Sequence, residues 1–206
     1  MAITEKRPST KYTVGAQYIC FNEDPEWDSS EFETDVIKLP TVVDVTVADN
    51  SDSYQSYASG EVYESDTIVT YKELSVTQLA FDEKTIAKMK GDTVDEGIIM
   101  SGGVKTRPYF AYGVPIIKKD GTRDMRWYPK CKLVDNSDAT TTSTDSHSDQ
   151  TDSLTIRAYG FDATQNQEVK VLTGETANAG ITEAAFFAAP VLTVAAAKAL
   201  RPVTTP

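Results

Sequence analysis

The chain has 206 residues, of which 40% are hydrophobic and 25% charged, a composition typical of a folded globular protein. The 20 Lys and Arg residues against 31 Asp and Glu residues give a formal net charge of −11 at pH 7, which repels nucleic-acid phosphates unless the cations gather on one face. Because no apolar run reaches the roughly 18 residues of a membrane span and the N-terminus shows no signal-peptide pattern, we expect no membrane partner.

The length fits one buried domain with extended termini. We assign residues 1–12 to an N-terminal arm, because they carry charge without periodicity. Residues 13–189 are the predicted domain, and residues 190–206 are an apolar, Ala-rich C-terminal tail. Cys20 and Cys131 lie in apolar, strand-like surroundings, which predicts free buried thiols rather than a disulfide.

The N-terminal part of the domain is predicted to form strands. Residues 13–21 and 36–39 are short apolar stretches typical of strands. Val43, Val45 and Val47 then alternate with polar residues, which indicates a strand with one buried face.

An acidic and aromatic stretch over residues 48–66 follows these strands. A segment of this length inside a compact domain is usually functional or an unrecognised pair of strands. Two interpretations stay open, an extended hairpin arm and an irregular surface loop. The residues that we assign to this contact arm are Asp49, Asp52, Tyr54, Tyr57, Glu61, Tyr63, Glu64 and Asp66.

One short helix is predicted after a strand over residues 67–80. Asp82 can accept hydrogen bonds from the free amides of the first turn, and Gly91 can adopt the left-handed conformation that ends a helix. Ile86 and Met89 should then pack against a sheet. A brief strand over residues 97–100 comes next.

A long β-hairpin over residues 108–134 is predicted around the turn dipeptide Asp120-Gly121. In its second arm the alternation places Met125, Trp127, Cys131 and Leu133 on one face. Prolines in both arms predict a sheet edge or a bulge. The hairpin also carries a basic face, which fits a solvated strand surface whose lysines protect an edge. Its residues are Lys118, Lys119, Arg123, Arg126, Lys130 and Lys132.

The rest of the chain contains a polar loop, two strands and a helix in the prediction. Residues 135–152 are nearly all Ser, Thr and Asp, which predicts an exposed loop. Strands are expected over residues 154–159 and 168–172. Residues 181–189 favour a helix ended by Pro190.

The sequence contains no constellation that indicates catalysis, a metal or a cofactor, and we expect none. The single histidine, His147, lies in the polar loop, where no neighbouring apolar residue would orient an imidazole. Asp145, Asp149 and Asp152 could hold a hard cation, but their spacing lacks the central Gly and the terminal Glu of a calcium loop. A solvated loop explains them better.

Several stretches follow the order and spacing of a known family: Gly60-Glu61-Val62-Tyr63-Glu64, the strand over residues 72–79, residues 109–113, Lys118-Lys119-Asp120-Gly121 and Arg126-Trp127-Tyr128-Pro129-Lys130. Over residues 39–189 the chain resembles the major tail proteins (tail tube proteins) of long, flexible-tailed bacteriophages of Gram-positive bacteria. Residues 1–12 and 190–206 match that family less well.

The resemblance implies a mainly β protein, an antiparallel β-sandwich or barrel-like tail tube fold with one short flanking α-helix and extended terminal arms. It implies that six copies close into a ring and that rings stack into a hollow tube, which conducts DNA without binding it specifically. The tape measure protein, tail terminator and baseplate proteins would be the other partners. The protein would be assembled in the host cytoplasm and reside in the virion tail.

Two further functions stay open from the residues. The tyrosines Tyr54, Tyr57 and Tyr63 could form the binding face of a β-sandwich recognition module, such as an adhesin or carbohydrate binder. A hydrolase on a β-scaffold would need only two suitably placed carboxylates. On the structural interpretation, the contact arm touches the neighbouring ring, and deletion of residues 52–60 should leave the domain folded but abolish tube elongation.

Overall fold

The computed structural model of the chain describes residue 5, residues 7–138, 140 and 142, and residues 150–202. Every strand pairing among these residues is antiparallel, which confirms the expected mainly β, antiparallel class. The strands are β1 (Lys11–Val14), β2 (Gln17–Phe21), β3 (Ile37–Leu39), β4 (Val42–Ala58), β5 (Glu61–Gln78), β6 (Thr93–Asp95), β7 (Ile98–Met100), β8 (Phe110–Lys118), β9 (Arg123–Ser137), β10 (Asp152–Ala158) and β11 (Val169–Leu172). The helices are α1 (Glu83–Lys90), α2 (Glu183–Phe186), α3 (Val194–Ala199) and a 3₁₀ helix (Thr176–Asn178).

The main sheet curls back on itself. Its strands lie in the order β3-β2-β8-β9-β10-β5-β4, with β1 also on β8 and β11 also on β9. Because only residues 40–41 separate the two end strands β3 and β4, the ends of the sheet must lie close together. Inside, the Gln17 Nε2 amide of β2 donates to the Gln78 Oε1 of β5, at 2.5 Å, although three strands separate them in the sheet order. We call this curled sheet the barrel.

The barrel interior is the first of two apolar cores. Its side chains come from β2, β5, β8, β9 and β10, and Met89 of α1 joins them. The local sequence produces α1 as predicted: the Asp82 carboxylate accepts from the Thr85 amide at 2.9 Å, and Gly91 ends the helix with φ of 75°. Ile86 and Met89 are both buried, as expected. The helix therefore closes one end of the barrel.

The second core covers the outside of the barrel. Trp127 is fully buried there, and its Nε1 donates to the Phe186 backbone carbonyl at 3.0 Å. The rings of Tyr18 and Phe187 stack with centroids 4.1 Å apart. Val191 and Ala197 complete this core, so part of the segment assigned to the C-terminal tail lies against the sheet. The helix predicted over residues 181–189 is confirmed as the shorter α2, whereas α3 was not predicted.

A β-bulge at Pro129 divides the side chains of β9 between the two cores. Phe110 pairs with Cys131 whereas Tyr112 pairs with Tyr128, so β9 has one extra residue at this point. The extra residue reverses the alternation. Met125 and Trp127 therefore lie in the outer core, and Cys131 and Leu133 lie in the barrel interior. The prediction that these four share a face is wrong. The predicted edge or bulge is confirmed as a bulge at Pro129, whereas the register of β8 with β9 is regular at Pro115.

Several element limits differ from the predictions. The predicted strand over residues 13–21 is two strands, β1 and β2, and β6 was not predicted. The turn of the β8–β9 hairpin spans residues 119–122, longer than a two-residue turn. Cys20 and Cys131 are free and buried as predicted, and burial raises the pKa of the Cys20 thiol to about 11. His147 lies outside the described residues.

Candidate functional site

β4 and β5 continue beyond the barrel as a two-stranded ribbon. β10 pairs with β5 only from Lys72 to Gln78, whereas β4 stays paired with β5 out to Ala58 and Glu61. We call residues 50–71 the ribbon. At about 3.3 Å per residue, its β5 part projects roughly 33 Å. The predicted hairpin arm is thus confirmed, and the irregular loop is wrong.

The ribbon is exposed at every residue except Ser56 and Tyr71, which are half-buried. Its large apolar and aromatic side chains reach solvent, and Tyr63 is 80% exposed. A two-stranded hairpin is at best marginally stable in water, because it has no third strand and no packed face. The ribbon therefore has the features of a structure that a partner completes.

The two faces of the ribbon differ in charge. Residues 50–71 contain four acidic residues and no Lys or Arg. Cross-strand partners share a face, and the register pairs Tyr54 with Asp66, Ser56 with Glu64 and Ala58 with Glu61. All four acids lie on this acidic face, which comprises Asp52, Tyr54, Ser56, Ala58, Glu61, Glu64, Asp66 and Ile68. The opposite, uncharged face comprises Ser51, Ser53, Gln55, Tyr57, Val62, Ser65, Thr67 and Val69.

A second bulge places Glu61 on the acidic face. Three residues of β5, from Val62 to Glu64, oppose the two residues Ser56 and Tyr57 of β4. Without this extra residue, Glu61 and Glu64 would lie on opposite faces, since they are three positions apart. Simple alternation along the sequence therefore misplaces Glu61.

The three tyrosines of the predicted binding face do not form one surface. Tyr54 belongs to the acidic face and Tyr57 to the uncharged face, and Tyr63 is the extra residue of the bulge. A recognition surface built from a shared row of tyrosines is thus not present on the ribbon.

Polar contacts fasten the root of the ribbon to the barrel. Lys72 Nζ lies 2.5 Å from Asp49 Oδ1, so Asp49 belongs to the root, whereas the other seven predicted arm residues lie in the ribbon. The Gln167 side chain donates to the Val69 carbonyl at 3.0 Å. The Arg157 guanidinium lies over the Tyr71 ring, 4.6 Å from its centroid. These contacts hold the direction in which the ribbon leaves the barrel.

The six basic residues of the β8–β9 hairpin have varied surroundings. Lys118 pairs with Asp124 at 2.7 Å, Arg123 with Glu183 at 2.8 Å, and Arg126 with Glu168 at 3.5 Å. Lys130 and Lys132 lie over the Tyr109 ring, 5.3 and 4.0 Å from its centroid. Lys119 is exposed in the turn. Half of this group is thus neutralised by a carboxylate of the same chain.

The sheet also retains open edges. Among the described residues, β1 pairs only with β8, and β4 pairs only with β5. A groove of about 300 Å³ separates them, lined by residues 11–14 of β1, residues 43–45 of β4 and Ile116. Open strand edges present unpaired backbone amides and carbonyls, which can pair with another chain.

In the part of the chain that the structure describes, no three His, Cys, Asp or Glu side chains are grouped so that they could hold a metal ion. None of the described helices is long and apolar enough to cross a membrane.

No protein-family model matches the sequence, and no curated protein is similar to it. Among solved structures, the fold is similar to a chain of the anti-feeding prophage cap, described as the tube terminating cap. That chain has a TM-score of 0.45 and 7% identity, and the match covers 84% of this chain and 96% of that one.

Two further solved structures show a likeness of the same degree. A chain of the six-fold symmetrised anti-feeding prophage baseplate has a TM-score of 0.45 and 7% identity, with 81% of this chain and 97% of that one covered. A chain of the sheath-tube complex of an extracellular contractile injection system, in its extended state, has a TM-score of 0.42 and 6% identity. Here the match covers 80% of this chain and 92% of that one.

Proposed function

We propose that this chain is a structural subunit that assembles with copies of itself into rings, and that the rings stack into a hollow tube through which DNA passes. The observation that carries the proposal is the ribbon, residues 50–71, which is a paired but otherwise unpartnered extension of the sheet. About 33 Å of exposed two-stranded ribbon is at best marginally stable alone, whereas a neighbouring copy can supply the strand or the packed face that it lacks.

Two kinds of contact are needed for a tube of this type. A ring requires a head-to-tail contact between unlike surfaces of neighbouring copies, and stacking requires a second contact along the axis. The open edges of β1 and β4 supply backbone groups for strand pairing around the ring. The ribbon supplies the axial contact. Six copies per ring, as in the major tail proteins that the sequence resembles, is the stoichiometry that we propose.

The charge of the ribbon suits a DNA conduit. A basic bore would bind phosphates in a salt-dependent manner and hold the DNA back. The acidic face of the ribbon has four carboxylates and no cation to attract a phosphate. The net charge of −11 likewise keeps phosphates from sticking, so that DNA passes without specific binding. The tape measure protein, the tail terminator and the baseplate proteins would complete a virion tail.

Removal of the ribbon tests this function. Replacing residues 52–68 by Asn-Gly should join Ser51 to Val69, which are cross-strand partners, through a two-residue hairpin turn. The variant keeps the bond from Gln167 to the Val69 carbonyl and the contact between Tyr71 and Arg157. We expect wild-type protein to form tubes as its concentration rises, seen by light scattering and negative-stain microscopy, and the variant to form none.

The control for this variant is its fold, measured by circular dichroism and thermal unfolding, which should match the wild type. Tubes of normal length formed by the shortened protein would contradict the role of the ribbon. A wild-type protein that stays monomeric at every concentration would contradict the proposed function as a whole.

A further inference from the structure

A small apolar hairpin projects from the barrel next to α1. β6 and β7 pair only with each other among the described residues and form a separate two-stranded sheet. Ile98 is 70% exposed and Met100 is 69% exposed, and Val104 just beyond them is fully exposed. A two-stranded sheet with exposed apolar side chains is, like the ribbon, unstable without a partner.

A positively charged cleft lies beside this hairpin. Its volume is about 440 Å³, and its charged lining residues are Lys90, Lys105, Arg107 and the single acid Asp92. Lys105 Nζ lies 3.0 Å from Asp92 Oδ1, and Arg107 Nη1 donates to the carbonyls of Leu133 and Val134. Lys90, in the last turn of α1, has no carboxylate partner in the described part of the chain. We call this cleft the cationic corner; the adjoining β6–β7 hairpin carries Asp95 and Glu96 at its tip, outside the lining of the cleft.

The cationic corner and the ribbon lie at opposite ends of the barrel. Lys72 of β5 lies opposite Ala158, the last residue of β10. Gln78, at the other end of this pairing, lies opposite Asp152, the first residue of β10. The ribbon extends beyond the Lys72 end. α1 follows the Gln78 end, and Lys90 and Asp152 both line a pocket of about 70 Å³ there. The ribbon therefore points away from the cationic corner of its own chain.

We infer that the cationic corner is the docking site for the ribbon of a second copy of this chain. The charges are complementary, because the ribbon carries four acids and no cation, whereas the corner cleft has three cations and one acid. The apolar surfaces are complementary as well: the exposed Tyr54 of the acidic face and Tyr63 of the bulge can cover Ile98 and Met100. Each exposed two-stranded element gains the packing that it lacks.

The geometry of this contact makes it propagate. Because the two surfaces differ and lie at opposite ends, a docked copy still offers a free ribbon at one end and a free corner at the other. Copies can therefore add without limit along one axis. The inference rests on the proposed tube and identifies the acceptor surface for its axial contact.

A charge exchange between Glu64 of the ribbon and Lys90 of the corner tests the inference. Glu64→Lys and Lys90→Glu should each raise the protein concentration needed for tube formation about fivefold, since a favourable exposed pair becomes a like-charge contact. The two substitutions change net charge in opposite directions. A general effect of net charge would thus raise the concentration needed for tube formation in one variant and lower it in the other. Loss of the docking contact raises it in both.

Mixing the two variants is the decisive measurement. The ribbon of the Glu64→Lys variant meets the corner of the Lys90→Glu variant with charges of opposite sign. The wild-type ribbon of the Lys90→Glu variant likewise meets the wild-type corner of the Glu64→Lys variant. The mixture should therefore form tubes at a lower concentration than either variant alone. The double variant should also assemble like the wild type. The matched control is Lys198→Glu, an exposed change in α3, which should leave assembly unchanged.

The outcomes separate the inference from the proposed function. Tubes from wild-type protein together with normal assembly of Lys90→Glu, or no gain on mixing, would overturn the docking inference and leave the tube function intact. Recovery by the double variant without recovery on mixing would also overturn it, because the two residues would then act within one copy. Failure of the wild type to assemble would remove the proposed function and the inference together.

Discussion

The barrel and the ribbon are two regions of the same pair of strands, β4 and β5. In the barrel, Val45 and Val47 of β4 lie opposite Val76 and Leu74 of β5, and these side chains pack in the interior core. In the ribbon, the same backbone pairing continues without a third strand or a core. The pairing of β4 with β5 is thus the same in the two regions, whereas the third strand and the burial occur only in the barrel. Hydrogen bonding between two strands shapes the ribbon, whereas the barrel is stabilised in addition by packing, by a third strand and by buried polar contacts.

Hydrogen exchange should show the largest difference between the two regions. In dilute protein we expect the amides of residues 61–71 to exchange about a thousandfold faster, or more, than those of residues 72–78, because an isolated hairpin opens easily and the barrel opens only with global unfolding. Mass spectrometry of exchanged peptides measures this ratio. Equal protection of the two segments in a monomer would mean that the ribbon is as stable as the barrel without a partner, which would contradict the expected difference.

Substituting one aromatic residue in each region should give the next largest difference, in the free energy of unfolding. Trp127→Ala empties a fully buried site and removes the bond to the Phe186 carbonyl, so we expect a loss of about 3–5 kcal/mol in the free energy of unfolding. The matched ribbon variant, Tyr63→Ala, should change it by less than about 0.5 kcal/mol, since Tyr63 is exposed. Urea denaturation of both proteins compares them. A similar loss in the two variants is the result that would contradict this prediction.

Substituting one glutamine in each region should give a smaller difference in the free energy of unfolding. Gln78→Leu leaves the buried Nε2 of Gln17 without its acceptor, and we expect a loss of about 2 kcal/mol in the free energy of unfolding. Gln55→Leu, in the ribbon, should cost less than about 0.5 kcal/mol. Urea denaturation again measures both variants.

The double variant Gln17→Leu with Gln78→Leu distinguishes the cause of that loss. It should be more stable than Gln78→Leu alone, because no buried amide is left unpaired. If instead the double variant is the less stable protein, the cost comes from packing and not from the amide pair.

Local features were predictable because neighbouring residues determine them. The cap at Asp82, the left-handed Gly91 and the two buried positions of α1 all follow from residues within one or two helical turns. The bulge beside Pro129 was predictable for the same reason, since a proline lacks the donor that a regular ladder needs.

The candidate site was predictable only in part. Its residue types, acids among tyrosines over residues 48–66, were evident, and so was the possibility of a hairpin. The sequence did not reveal which acids share a face, because the bulge at Tyr63 moves Glu61 to the side of Glu64. It also contained no sign of the cationic corner, whose cations Lys90, Lys105 and Arg107 are separated along the chain but line one cleft.

Local residue patterns were enough to predict the mainly β class, the limits of α1, the acidic character of the ribbon and the burial of both cysteines. Long-range pairing, in contrast, brings the ends of the sheet close together, assigns Trp127 and Cys131 to different cores and puts all four ribbon acids on one face. The physical reason is the period of two along a strand. One extra residue in the pairing reverses every side chain beyond it, and the position of that residue depends on long-range register rather than on local composition.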